Sequence, residues 1–159
     1  MFIVIDVFSK YLWVRPLKAK TQTEVALALA QIYGSSARRP QALWVDQGKE
    51  YYNKEVQAVA KKFGFSLYSV LSDIKSSVAE RLIRMLKTMI YRYLHEHQTW
   101  TYINVLPDLV ANYNLTLHRS IGMTPAEVRP RHTEVLLQKI SPALINIKSV
   151  APPKYPVGS

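Results

Sequence analysis

Ala42-Leu43-Trp44-Val45-Asp46-Gln47-Gly48 is a short apolar run that stops at an aspartate and is broken by a glycine. It reads as a buried strand. A helix follows with both ends marked: Asn53 as the cap, Val56, Val59, Ala60 and Phe63 as the inner face, and Gly64 as the stop. Phe65–Val70 is another short apolar strand. Strands alternating with helices point to an α/β layer fold.

The pattern extends both ways from this unit. Upstream, residues 2–8 and 11–17 are rich in β-branched and aromatic types, and Ser9-Lys10 between them suits a tight hairpin. Thr21 and Glu24 form a capping-box pair, after which Val25, Leu29 and Ile32 recur at helical spacing until Gly34. Downstream, a polar stretch at 72–77 precedes a long helix over 78–95 with Val78, Leu82, Met85, Met89 and Tyr93 along one stripe. Residues 99–118 suit a further helix, with Pro107 as a kink or a start. Thr124-Pro125-Ala126-Glu127 reads as a cap opening a short helix. The domain is expected over 1–130, and residues 131–159, with Pro152, Pro153 and Pro156, as a linker.

Composition narrows the function. The 159 residues carry 21 Lys and Arg against 11 Asp and Glu, a net charge of +10, which favours a polyanionic partner, nucleic acid first. The absence of cysteine excludes a disulfide scaffold, a thiolate zinc site and a cysteine nucleophile. No apolar run approaches the roughly 18 residues of a membrane span. The opening MFIVIDVFSKY lacks a basic start and a cleavage site, so it reads as a strand and not a signal peptide. No membrane partner and a nuclear or cytoplasmic location are expected.

Two carboxylates draw attention. Asp46 sits where a strand ends, the position at which open α/β sheets present ligand-binding groups. Glu80 opens the long helix, and Glu80, Arg84 and Lys87 fall at i, i+4 and i+7, one face turned away from the core stripe. Each has a structural reading too, Asp46 as a turn residue and Glu80 as half of a Ser77–Glu80 capping box. A carboxylate flanked by cations on a solvent face suits a metal-and-phosphate site.

Residues 46–53, Asp-Gln-Gly-Lys-Glu-Tyr-Tyr-Asn, resemble the D-x-G-x-E-F-x-N segment of retroviral-type integrase catalytic cores. Residues 75–87 are similar to their K-A-x-x-x-E-R-x-N-R-x-L-K helix, Ile5–Tyr11 to their hairpin, and Tyr113–Pro125 to their Y-N-x-x-x-H-x-S-x-x-x-x-P block. The combined pattern looks closest to the integrases of Maverick/Polinton transposons. The resemblance implies an RNase H-like mixed sheet flanked by helices and a DDE-type polynucleotidyl transferase using Mg²⁺ or Mn²⁺. It makes Asp46 the second acidic ligand and Glu80 the third, catalytic and metal-binding alike. Lys49, Lys75, Arg81, Arg84 and Lys87 become phosphate-gripping candidates on DNA, and a homo-oligomer is implied as well.

The departures matter as much. In such cores the first acid lies on a strand upstream of the hairpin, in the centre of the sheet, whereas Asp6 matches the hairpin's own aspartate. The expectation is therefore a core lacking its first, central strand, with weak metal binding and an incomplete triad. Ile83 and Met85 stand where the helix motif has Asn and Thr. Residues 154–159 resemble the entry to the small β-barrel that follows such cores. The competing reading is a non-catalytic, domesticated DNA-binding or assembly module. A third, RNA binding through stacked aromatics, is disfavoured because Trp44, Tyr93, Trp100 and Tyr113 read as core.

Overall fold

The computed structural model describes residues 1–46, 48–69 and 77–140, with Ser77, Val78 and Ile140 described by backbone alone. Lys75, the polar stretch at 72–76 and the barrel-entry segment at 154–159 lie outside the described residues.

Phe2–Ile5 (β1) and Leu12–Arg15 (β2) form an antiparallel hairpin, in register from Phe2↔Arg15 to Ile5↔Leu12. The strands are shorter than the apolar runs because Asp6 organises the turn. Its N–H donates to the Tyr11 carbonyl at 2.9 Å, and its own carbonyl accepts from Lys10 N–H at 2.7 Å. Lys10 adopts the left-handed conformation there, with φ 61°. Side-chain alternation divides the hairpin between two cores. Phe2 and Val4 pack with the helices Gln22–Ser35 (α1) and Lys54–Phe63 (α2). Ile3, Ile5, Leu12 and Val14 pack with Ser77–Glu96 (α3) and Leu106–Leu115 (α4).

Ala42–Trp44 (β3) and Ser66–Tyr68 (β4) pair in parallel, joined by α2. Both caps of α2 are as the sequence predicts: Asn53 Oδ1 accepts from Val56 N–H at 3.0 Å, and Gly64 ends the helix in the left-handed region at φ 75°. The result is the expected α/β layering of a mixed sheet flanked by helices. Among the described residues it consists of two ladders, β1 with β2 and β3 with β4. Leu43 and Leu67 reach the same core cluster as Phe2 and Val4, so the two ladders share one helical layer.

Several expectations are corrected. The buried stripe of α3 is Leu82, Leu86 and Ile90, not the Met85–Met89–Tyr93 line. Both sets have helical spacing and share Leu82, and the position of β2 and α4 selects between them. Trp100 is 95% exposed. It stands in the α3–α4 connector, where Gln98 takes φ 48° and Thr99 Oγ accepts from Thr101 N–H at 3.3 Å. The 99–118 helix is α4 alone, with Pro107 in its first turn. Thr124 and Glu127 do form reciprocal bonds, Glu127 N–H to Thr124 Oγ at 3.3 Å and Thr124 N–H to Glu127 Oε2 at 3.1 Å, yet they close only a turn. Pro130 disfavours helix at Arg129, and a single 3-10 turn, Pro130–His132, intervenes before Thr133–Ile140 (α5). Within the span read as a linker, α5 buries Leu136 fully against Ile121 and Val128.

Candidate active site and its cationic surroundings

Asp46 lies just past β3, where Val45 is buried and donates its N–H to the Tyr68 carbonyl at 3.0 Å. The strand end is thus fixed while the Asp46 side chain is exposed. The following turn is pinned by Tyr51 N–H to the Gly48 carbonyl, 3.1 Å, and by Asn53 Nδ2 to the Glu50 carbonyl, 2.8 Å. The Glu50 carboxylate folds over Gly48, in space that a Cβ at 48 would fill. The Tyr51 hydroxyl is held above its ordinary pKa by burial, then by the charges of Glu50 and Asp46. The acidic turn therefore lies close to a ring that packs against the core.

Glu80 is exposed in the first turn of α3, and Arg81, Arg84 and Lys87 are exposed with it. Lys49 is exposed beside the Asp46 turn. Neither Asp46 nor Glu80 accepts a hydrogen bond from any described residue, so neither carboxylate is occupied by the local role that its sequence position allows. Oxygen donors of this kind fit a hard divalent cation. Their number is the shortfall: among the described residues no three His, Asp or Glu side chains gather as a metal site.

Asp6 is engaged otherwise. Its carboxylate accepts from Phe8 N–H at 3.0 Å and from the hydroxyl of the fully buried Ser9, whose oxygen in turn accepts from Tyr11 N–H at 3.2 Å. This is the structural role common for an aspartate beside a turn.

Sequence reasoning missed two polar side chains that hold this frame. Asn114, buried in α4, and Arg38, in the α1–β3 loop, both bond backbone. Arg38 Nη2 donates to the carbonyls of Pro125 and Val128, each at 3.0 Å, and the guanidinium lies 4.5 Å from the Tyr11 ring centre. Burial lowers its pKa, with Arg129 adding to the effect. Asn114 is the Asn of the Y-N block that carried the resemblance, quoted there without a structural role; nothing marked Arg38 among the surrounding loop residues.

Comparison with solved structures decides the architecture. The HTLV-2 integrase catalytic core domain, solved with magnesium in a trimeric form, superposes with a TM-score of 0.68 at 18% identity, over 79% of this chain and 81% of that one. The fold is that of an integrase catalytic core. The BIV integrase core matches with a TM-score of 0.67 at 18% identity, over 84% and 86% of the two chains. A simian T-cell lymphotropic virus intasome solved with the PP2A regulatory subunit B56 gamma gives 0.71 at 19% identity, over 99% of this chain and 50% of that one. In sequence, an uncharacterised transposon-derived protein of Caenorhabditis elegans is 34% identical over 128 residues, 80% of this chain and 45% of that protein. The chain thus spans a little under half the length of that relative. No protein-family model matches the chain. Fold and relative together support an integrase- or transposase-like origin. Among the described residues no helix is long and apolar enough to cross a membrane.

Proposed function

We propose that this chain is the catalytic-core part of a transposon integrase of the Maverick/Polinton type, acting on DNA by polynucleotidyl transfer. The observation that carries the reading is the pair of exposed, unengaged carboxylates, Asp46 at a strand end and Glu80 at a helix start, on an integrase-core fold with cations around them. Asp46 and Glu80 would hold a divalent metal. When bound, it would polarise a phosphoryl oxygen and stabilise charge on the attacking and leaving oxygens. Lys49, Arg81, Arg84 and Lys87 hold the DNA backbone in register by its phosphates. Asp6 stays with its turn and is not a ligand.

A third acid is then needed, and the sheet supports a place for it. β1 is covered on both faces, as an inner strand is, yet one of its edges has no strand partner among the described residues. β3 likewise pairs on one side only. A strand lying between β1 and β3 would join the two ladders and bring an acid beside Asp46. Among the described residues the buried indole N–H of Trp44 on β3 has no hydrogen-bond partner.

The test is Mg²⁺-dependent strand transfer with this chain, and with the same core extended upstream by an acid-bearing strand. Activity in the extended form alone, abolished by Asp46→Asn or Glu80→Gln and retained in Asp6→Asn, is the expected result. Cleavage by this chain that Asp6→Asn abolishes would assign Asp6 to the triad instead. DNA binding without cleavage in either form favours the second reading, a non-catalytic binding or assembly module.

A further inference from the structure

Two arginines far apart in the chain converge on one turn. Arg38, in the α1–β3 loop, and Arg129, just before the 3-10 turn, both donate to the carbonyls of Ala126 and Val128. The Ala126 oxygen lies 3.4 Å from Arg38 Nη2 and 2.7 Å from Arg129 Nη1. The Val128 oxygen lies 3.0 Å and 3.2 Å from the same two atoms. Like charges are thus held side by side, and the charge of Arg129 adds to burial in lowering the Arg38 pKa. Neither guanidinium has an ion-pair partner among the described residues. The acids of this neighbourhood are engaged elsewhere. Asp6, whose charge opposes the shift at Arg38, holds the hairpin turn, and Glu127 accepts the N–H and hydroxyl of Thr124 at 3.1 Å and 2.9 Å. Two further guanidinium groups border the pair. Arg39 is exposed and donates to the Arg38 carbonyl at 3.2 Å. Arg131 is exposed on the 3-10 turn, which His132 closes by accepting the Arg129 N–H on Nδ1 at 3.1 Å.

We infer that this arginine cluster is a binding site for a compact multivalent phosphate, of the kind that inorganic polyphosphate or the tail of a nucleoside triphosphate carries. The turn carbonyls take one nitrogen of each converging side chain, Nη2 of Arg38 and Nη1 of Arg129, and leave Nε and the second Nη of both free. Planar forks of this kind match the oxygens of a phosphate two at a time. The cations are held ready for it. Arg38 rests 4.5 Å from the centre of the Tyr11 ring and Arg39 5.3 Å from that of Phe63, so each charge is fixed by a ring beneath it. Four guanidinium groups call for more charge than one carboxylate brings, and two of them share one pair of carbonyls, which is a focus and not a row. A duplex spreads its charge along an axis, so it fits such a focus poorly. The cluster is also remote from the candidate catalytic pair, because Arg38 and Arg39 precede β3 while Asp46 follows it. A bound phosphate would cancel the repulsion between Arg38 and Arg129. It would tie the α1–β3 loop to the turn that leads into α5 and its contacts with Ile121 and Val128.

The experiment is titration of this chain with sodium tripolyphosphate at constant ionic strength and without divalent metal, read by isothermal calorimetry and by thermal melting. The wild type is expected to bind one tripolyphosphate per chain and to melt about 5–10 °C higher when the ligand stands at about a hundred times Kd. Arg129→Gln and Arg131→Gln each weaken binding about tenfold or more, the loss of one charged hydrogen-bonding group. Lys20→Gln, at the opposite end of α1 from Arg38, keeps the wild-type affinity. Arg131 bonds no carbonyl of the 125–128 turn, so its variant carries the test if Arg129→Gln melts early without ligand. Adenosine triphosphate binding as tightly as tripolyphosphate makes a terminal phosphate group the ligand in either source, and weaker binding assigns the site to inorganic polyphosphate. A wild type that takes up no tripolyphosphate at millimolar concentration overturns the proposal. Equal affinity in the wild type and both arginine variants does so as well. Citrate bound as tightly as tripolyphosphate, or an acidic peptide bound more tightly and lost in Arg131→Gln, assigns the cluster to carboxylates and also overturns it.

Discussion

The hairpin has two edges, and the protein treats them in opposite ways. On the outer side of β2, Leu12 N–H donates to Asn114 Oδ1 at 2.8 Å and Asn114 Nδ2 donates back to the Leu12 carbonyl at 2.9 Å. The amide of one side chain thus stands in for a neighbouring strand. Val14 C=O accepts from the Arg15 side chain at 3.2 Å, and Pro16 follows directly. On the inner side of β1 no such closure is found among the described residues. The Asp6–Tyr11 bond sets the alternation that turns the peptide groups of Ile3 and Ile5 away from β2. Those of Ala42 and Trp44 turn away from β4 by the same logic, because Gln41 O and Val45 N–H face it. The outer edge is closed with a buried amide and a proline; the inner edge, between apolar faces, is the one that the proposal above assigns to a joining strand.

The sharpest way to break this contrast is Asn114→Leu. It keeps the side-chain size and strands two buried backbone groups of Leu12, at about 1–3 kcal/mol each. Urea denaturation is expected to show a loss of about 3 kcal/mol or more, with concentration-dependent association through the newly opened edge. A fully stable, monomeric variant would mean that the clamp contributes nothing. Arg38→Ala comes next. It removes charged hydrogen bonds to the 125–128 turn and a cation–π contact at Tyr11, where the outer edge begins. About 2 kcal/mol is expected in the same assay. The smallest effect is also the most direct measure of the two edges. In amide hydrogen exchange, Ile3 and Ile5 should exchange about tenfold faster than Val4 and Asp6, a difference of about 1.4 kcal/mol in opening. Equal protection would show that the inner edge is already paired.

Parts of this contrast were legible in the sequence, and parts were not. The hairpin, α2 with its Asn53 and Gly64 caps, and the placement of Asp46 and Glu80 follow from local signals, since each is decided within a few residues. The β-branched and aromatic make-up of residues 2–8, which forms β1, was legible too. Three features needed long-range information. The choice between the Met85 and Leu86 sides of α3 depends on where β2 and α4 lie. The exposure of Trp100 depends on a connector turn whose left-handed residue, Gln98, carries no glycine or asparagine signal. The Thr124–Glu127 pair forms its bonds as a helix cap would, and only Pro130 stops the helix from propagating.

The clamp also has a history within each molecule, because its partners lie 102 residues apart in the chain. At synthesis rates of about 5–20 residues per second, the hairpin emerges roughly 5–20 s before Asn114 does. Throughout that interval the outer edge of β2 lacks its clamp, and the turn built on Asp6 and Ser9 holds the hairpin's register. A nascent chain in this state offers the β2 edge as a template for strand pairing, which closes only when α4 leaves the ribosome. Slow codons before residue 114 would lengthen that exposure without altering a single contact in the finished protein.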